Sequence, residues 1–232
     1  MVTPAHKINF PLTEAEVKVA IVKTMNNPAI ISRDNLRYRR RNIKFDCLLR
    51  GYVGEYAISK WFEQNGIEIE ATNNTVEGET IDIDFYYRRK NIELKTSLVP
   101  NRDRNIDTAI NIEDIKLIRR GEETIEQLRG DIHLQIYFTQ LRAVKDTWLN
   151  AQTIDITSRD VDYIYNSFHA VDYRAMTFFV AWIDKPTLVE RINTLPNNIR
   201  ARTWEFGQRL FWNCKIRDSK PPAELIAYLN AL

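Results

Sequence analysis

The sequence predicts a mixed α/β domain, and three observations lead to that class. Amphipathic helical stretches come first, alternating strands follow, and helices then alternate with strands toward the end of the chain. The 232 residues are 44% hydrophobic and 28% charged, so the chain can bury a core. We expect a single domain with a core over about 45–185, an N-terminal helical and basic segment over 1–44, and a C-terminal extension over 186–232.

Composition excludes several classes of protein. No apolar run approaches the roughly twenty residues that a membrane-spanning helix needs, and the first residues contain no apolar signal-like stretch. Only two cysteines, Cys47 and Cys214, occur, so we expect neither a disulfide scaffold nor a cysteine-ligated zinc site. These features predict a cytoplasmic protein that does not associate with membranes.

Helices are predicted on both sides of the basic segment, after a tail over 1–12. Thr13 and Glu16 form a capping box before apolar residues spaced three and four apart, so the first helix begins there. A second helix is predicted over about 45–65, where apolar and aromatic residues recur at the same spacing. Gly66 is a suitable left-handed stop for this helix.

Strands are predicted after Gly66, where apolar and polar residues alternate. Residues 67–71 form the first, and residues 80–87 and 92–97 form two more, joined by the turn Arg88-Arg89-Lys90-Asn91, whose type the sequence leaves open. The remaining elements are a charged helix over about 112–128, strands over 132–138 and 176–183, a helix beginning near Asp160, and a C-terminal helix over 223–229.

A basic strip precedes the second helix. Residues 33–44 contain six Arg or Lys residues and one acid, Asp34. The strip is either a solvated helix face or loop, or a surface that contacts phosphates, because arginine pairs well with phosphate oxygens. In the second interpretation, the residues that contact nucleic acid are Arg37, Arg39, Arg40, Arg41 and Lys44.

The predicted hairpin collects charged side chains on one face. Because side chains alternate across a strand, Asp82 and Asp84 share a face of the first strand, and Glu93 and Lys95 share a face of the second. When the apolar rows of both strands meet on the core face, the charged rows meet on the other, with Asp84 opposite Glu93 and Asp82 opposite Lys95. Three carboxylates and one amine therefore lie on one patch.

Such a patch has a chemical use. Neighbouring carboxylates raise each other's pKa values unless a cation lies between them, and hard oxygen ligands without His or Cys favour Mg²⁺ or Mn²⁺. The ion can polarise a phosphoryl group and lower the pKa of a bound water, while Lys95 holds the attacking water and offsets transition-state charge. The alternative interpretation is an exposed sheet face with cross-strand ion pairs.

The motif Asp82, ten residues and then Glu93-Leu94-Lys95 resembles the PD-(D/E)XK, or restriction-endonuclease-like, nuclease superfamily, although Ile81 replaces the motif's proline. Residues 51–66 resemble the first core helix of such enzymes. The order of elements also fits: helix, strand, Asp strand, acid-x-Lys strand, helix, and a strand that begins at Asp131-Ile132-His133-Leu134. The resemblance covers residues 45–140 and implies a restriction-endonuclease-like core, a mixed central β-sheet flanked by helices.

The resemblance also implies roles for individual residues. Asp82 and Glu93 would bind the metal together with the backbone carbonyl of Leu94, and Lys95 would serve the nucleophile. Glu55 would bind a second metal or orient Lys95 through water. Asp84 competes with Asp82 as the strand ligand, and Asp82 is preferred because its spacing matches the family better.

Further residues have weaker assignments. The loop after the acid-x-Lys strand leaves the sheet beside the site, so its polar residues either contact nucleic acid or form an ordinary polar loop. His133 is expected to be a packed histidine. The loop residues in question are Ser97, Asn101, Arg102 and Arg104.

The resemblance implies a Mg²⁺-dependent DNA endonuclease, in which Mn²⁺ can substitute, that hydrolyses phosphodiester bonds with a metal-activated water. A chain of this length without ATPase or methylase motifs is most similar to a Type II restriction endonuclease, and such enzymes commonly cut double-stranded DNA as homodimers. The alternatives are a DNA repair nuclease or resolvase of the same fold, or a non-catalytic nucleic-acid-binding module on this scaffold.

Overall fold

Helices and strands alternate along most of the chain. The computed structural model describes residues 1–27, 40–72, 75–76, 79–80, 83–203 and 210–232. The α-helices in these ranges are α1 (Glu14–Met25), α2 (Arg41–Gln64), α3 (Ile106–Ile112), α4 (Arg142–Ala151), α5 (Val161–Ser167), α6 (Lys185–Thr194) and α7 (Glu224–Asn230). The strands are β1 (Ile8–Asn9), β2 (Glu70–Ala71), β3 (Thr75–Val76), β4 (Glu79–Thr80), β5 (Phe85–Tyr87), β6 (Lys90–Val99), β7 (Ile118–Arg119), β8 (Ile132–Leu141), β9 (Thr177–Asp184), β10 (Ala201–Thr203) and β11 (Leu210–Trp212).

A six-stranded mixed sheet, in the order β1-β9-β8-β6-β5-β2, is the centre of the fold. Strands β6 and β8 are parallel, and the other neighbours are antiparallel. Helix α3 lies in the connection between β6 and β8, as parallel neighbours require a long crossover. The prediction of an α/β protein with a mixed sheet flanked by helices is therefore confirmed.

Each face of this sheet packs into its own hydrophobic core. Side chains of β6 and β8 alternate between the two cores because the strand period is two. Leu94 and Leu134 lie in the core that includes α1 and α2, whereas Val99 and Tyr137 lie in the core that includes α3 and α6. Among the described residues, no helix has the length and apolar character needed to cross a membrane.

Local signals in the sequence place several boundaries correctly. The Thr13–Glu16 capping box begins α1, and Asp160 caps α5 with its side chain. Gly66 follows α2 with φ +71°, the left-handed stop that was predicted. Helix α2 begins at Arg41, before the predicted start, because buried Ile43 extends its apolar face.

Several segments differ from the prediction. The strands predicted over 67–71 and 80–87 are shorter, since β2 covers only Glu70–Ala71 and β5 only Phe85–Tyr87. The charged helix predicted over 112–128 is wrong, since α3 ends at Ile112 and the chain then becomes extended. Ile115 and Leu117 are both buried in the second core, a spacing of two residues that suits an extended chain and not a helix. The predicted tail over 1–12 is also wrong, because Val2, Phe10 and Leu12 are buried and β1 adds to the sheet beside β9.

Helix α2 lies unusually close to β6 at Gly54. A Cβ atom at this position would overlap the side-chain methyl of Thr96 and contact Leu94. At Gly51, one turn earlier, a Cβ atom would meet nothing within 4 Å. Gly54, and not Gly51, therefore permits the close approach of helix and sheet that holds the neighbouring Glu55 beside the hairpin.

We predict opposite effects of alanine at these two glycines. Gly54→Ala should destabilise the protein by about 1–3 kcal/mol, because the extra methyl group overpacks the interface with β6. Gly51→Ala, the matched control, should stabilise the protein by about 0.5–1 kcal/mol, because alanine favours a helix interior. Urea unfolding midpoints at unchanged slope measure both effects. Equal shifts for the two variants would contradict the close approach at Gly54.

Candidate active site

The β5–β6 hairpin has the register that the charge pattern predicts. Phe85 pairs with Ile92 and Tyr87 with Lys90, the register in which Asp84 would come opposite Glu93, although the paired part of β5 begins at Phe85. The amide of Asp84 still donates to the carbonyl of Ile92 at 3.0 Å, but the next bond is made by a side chain, since the Leu94 amide donates to Asp84 Oδ2 at 2.6 Å. The Asp84 carboxylate is thereby fixed against the edge of β6 where β5 begins.

Glu93 is a buried carboxylate held from two sides. Its side chain lies on the sheet face opposite α2, because the adjacent Leu94 packs in the core with α2. Lys95 Nζ lies 2.7 Å from Oε1, and His133 Nδ1 lies 2.8 Å from Oε2. A carboxylate that is 5% exposed would be costly without such partners.

His133 is a site residue whose role the sequence did not reveal. It pairs with Glu93 across the parallel strands β6 and β8, and its Nε2 lies 3.1 Å from the carbonyl oxygen of Gly130. Both ring nitrogens therefore lie within hydrogen-bonding distance of oxygen atoms, and the buried ring is packed as the sequence predicted. A Cβ atom at residue 130 would lie 2.6 Å from His133 Cε1, so glycine makes room for the ring.

Glu55 approaches the hairpin from the other face of the sheet, where α2 packs. Lys23 on α1 donates to Glu55 Oε2 at 2.6 Å, and its ammonium group also lies 4.4 Å from the centre of the Tyr52 ring. The contact joins residues 32 positions apart, so only the packing of α1 on α2 brings them together. For that reason, the amino-acid sequence alone does not point to Lys23.

The charges of Glu55 and of Glu93 both act on the Asp84 carboxylate. Burial, together with the negative charges of Glu55 and Glu93, raises the pKa of Asp84 to about 7, although Lys95 opposes the shift. Burial also raises the pKa of Glu55, although Lys23 opposes the shift. Burial alone would raise the pKa of Glu93, but Lys95 and His133 outweigh it and lower that pKa to about 2. Carboxylates with divergent pKa values are typical of functional sites.

The choice between the two aspartates remains open, and of the two only Asp84 lies in the part of the chain that the structure describes. Asp82, which the sequence analysis preferred, lies outside the described residues. Asp84 contacts the backbone of β6 directly and interacts with Glu55, Glu93 and Lys95. Asp84 is two positions nearer to Glu93 in the sequence than Asp82, whose spacing matches the family motif better.

The oxygen donors at this place suit a hard divalent cation. Asp84 and Glu93 supply carboxylates, and the carbonyl of Leu94 points to the same side of β6 as its amide, which is bonded to Asp84. Burial is the largest cause of the raised pKa of Asp84, and the negative charges of Glu55 and Glu93 add to it. Within the described ranges, no group of three or more His, Cys, Asp or Glu side chains is arranged to hold a metal ion.

The predicted basic strip is only partly described. Arg37 and Arg39 lie outside the described residues, so their proposed role remains a prediction. Arg40 donates to the carbonyl of Asn150 at 2.9 Å, and the helix that follows carries Arg41 and Lys44. Arg41 is about 21 Å from Glu55 along the axis of α2, at 1.5 Å per residue.

The polar residues predicted for the loop after the acid-x-Lys strand are largely occupied with internal contacts, and Ser97 lies not in a loop but within β6, which extends to Val99. Ser97 Oγ accepts from the Gln135 amide at 3.2 Å, and Asn101 Oδ1 accepts from the Ala143 amide at 2.8 Å. Arg102 forms an ion pair with buried Glu113, whereas Arg104 is exposed. Contacts of this loop with nucleic acid remain a prediction.

Comparison of the chain with protein-family models, with curated proteins and with solved structures finds no match. The geometry described above is therefore the basis for assigning a function.

We predict that Asp84 makes the protein less stable as pH rises from about 4 to 7. Because the folded-state pKa is raised, the unfolded chain releases this proton first, and folding is penalised once the pH exceeds the unfolded value. Asp84→Asn cannot ionise but keeps an oxygen for the Leu94 amide. It should therefore gain stability relative to wild type between pH 4 and pH 8, on the order of a few kcal/mol.

Glu122→Gln is the control for this measurement, because its side chain is fully exposed. Urea unfolding at a series of pH values gives the free energies for all three proteins. If Asp84→Asn follows the wild-type pH dependence as closely as Glu122→Gln does, the carboxylate of Asp84 is not desolvated as described.

Proposed function

We propose that this protein is a Mg²⁺-dependent DNA endonuclease that hydrolyses phosphodiester bonds with a metal-activated water. The observation that carries the proposal is the position of Asp84, fixed on β6 between Glu55 on one side and Glu93 with Lys95 on the other. The chain order α2, β2, β5, β6, α3, β8 supports a restriction-endonuclease-like core, since it follows the order of elements that the resemblance implies.

Each residue has a distinct task in this proposal. Asp84, Glu93 and the Leu94 carbonyl would hold the cation, which when bound polarises the phosphate and lowers the pKa of a water. His133 holds Glu93 Oε2 in place and leaves Oε1 toward Lys95. Lys95, 22% exposed, can be reached from solvent, so its ammonium group can orient the attacking water and offset negative charge on the phosphate.

Glu55 has a supporting task. It lies on the α2 side of Asp84, paired with Lys23, and would either bind a second cation or adjust the charge around the first. Since its side chain is mostly buried, its negative charge acts strongly on Asp84.

Within this class, we propose a Type II restriction endonuclease that acts as a homodimer. The described part of one chain carries one such carboxylate cluster, and cutting both strands of a duplex in one encounter requires two. The basic strip that includes Arg40, Arg41 and Lys44 would contribute to DNA binding. A repair nuclease or resolvase would use the same cluster.

A non-catalytic DNA-binding module is the second candidate. Lys23 and Lys95 neutralise Glu55 and Glu93 directly, so the charges of the cluster are largely compensated within the protein itself. In that case the cluster would stabilise the sheet edge without hydrolysing DNA.

We predict that purified protein cleaves plasmid DNA with Mg²⁺ or Mn²⁺ and not with EDTA. Discrete fragments would indicate a restriction enzyme, and a smear would indicate a non-specific nuclease. Lys95→Ala, Glu93→Gln and Asp84→Asn should each lower the cleavage rate by about 100-fold or more, because each removes charge stabilisation or a metal ligand. The larger loss of cleavage among Asp82→Asn and Asp84→Asn identifies the main strand ligand.

Lys18→Ala is the matched control for removal of a lysine. Lys18 pairs with Glu14 and Asp162 on another part of the surface, so cleavage should be unchanged. Binding of duplex DNA without cleavage under any metal would favour the binding module. Cleavage by Lys95→Ala at the wild-type rate would refute the assignment of this site.

A further inference from the structure

The turn between β5 and β6 has a conformation that its residues do not favour. Tyr87 pairs with Lys90, so the loop contains only Arg88 and Arg89. Their φ angles are +43° and +64°, both in the left-handed region. Two-residue hairpins with positive φ at both positions are type I′ turns, for which Asn-Gly is the preferred sequence. Arginine in this region is strained by its Cβ atom.

The same turn carries a concentration of positive charge. Arg88 and Arg89 are exposed, and Lys90 follows directly. Among the described residues, none of the three forms an ion pair, although Glu70 lies opposite Tyr86 on the adjacent strand. The guanidinium group of Arg88 lies 5.3 Å from the centre of the Tyr87 ring, a contact that holds this side chain against the hairpin.

The turn also lies close to the candidate site. Four residues separate Arg89 from Glu93 along β6, a distance of about 13 Å at 3.3 Å per residue. Along a DNA duplex this distance corresponds to about four phosphates of one strand. A duplex with one phosphate at the carboxylate cluster can therefore also bring backbone phosphates to the turn.

We propose that Arg88 and Arg89 form a phosphate-binding clamp that holds duplex DNA next to the candidate active site. This inference rests on the proposed function. A function of both arginine side chains would explain why the turn contains strained residues. The unstrained sequence Asn-Gly could not perform that function. Arginine is suited to that task, because its planar group donates two parallel hydrogen bonds to phosphate oxygens.

The test is the double variant Arg88→Asn with Arg89→Gly, which installs the preferred type I′ sequence. Its unfolding temperature should rise, because the strain is relieved, while its affinity for duplex DNA should fall. The plot of log affinity against log salt should become shallower by about 2, since two phosphate contacts are lost. Between about 50 and 200 mM salt, wild type should therefore lose about tenfold more affinity than the variant.

Binding is measured by fluorescence anisotropy with a labelled duplex and EDTA, so that no strand is cut. Arg217→Asn removes another exposed arginine and should leave affinity and salt dependence unchanged. Arg88→Lys with Arg89→Lys keeps both charges and should keep most of the salt dependence.

The outcomes separate this inference from the proposed function. If wild type binds and cuts DNA but the Asn-Gly variant binds with unchanged affinity and salt slope, the clamp is refuted and the nuclease proposal stands. A fall in the unfolding temperature of the Asn-Gly variant would also overturn the inference, because the turn would then not be strained. If wild type neither binds nor cuts duplex DNA, both proposals fail.

Discussion

The hydrogen bond from the Leu94 amide to the Asp84 carboxylate is the interaction on which the candidate site depends. Just before β5 begins, the Asp84 side chain accepts a hydrogen bond that a main-chain carbonyl would accept in a longer strand. This bond holds the Asp84 carboxylate where it interacts with the charges of Glu55 on one face of the sheet and of Glu93 on the other. Without it, the acids of the hairpin and of α2 would belong to separate surfaces.

The charges around this bond explain how the carboxylates of the cluster can be buried. Glu93 can be buried because Lys95 and His133 compensate it, and removal of one member of such a group leaves an uncompensated charge. Burial raises the pKa of Asp84 to about 7, although Lys95 and the Leu94 amide oppose the shift. In the proposed function, Asp84 would help to hold a cation, and the exposed arginines of the nearby turn would add an attraction for phosphates.

The sequence predicted the features that depend on local patterns. Alternation of charged and apolar residues gave the hairpin register, because a slip by one residue would exchange the two faces. It did not predict the contacts of Glu93 with His133 or of Glu55 with Lys23, which arise from a parallel strand pairing and from helix packing. The helix predicted over 112–128 is wrong. The buried residues Ile115 and Leu117 are two positions apart, which is the spacing of an extended chain.

The most direct test of the site is anomalous diffraction from crystals grown with Mn²⁺ and a DNA duplex. The account predicts an anomalous peak about 2.0–2.3 Å from oxygens of Asp84, Glu93 and the Leu94 carbonyl, with Lys95 turned toward a phosphate. Manganese bound only elsewhere, with Lys95 still paired to Glu93 and DNA absent from the hairpin, would contradict the account.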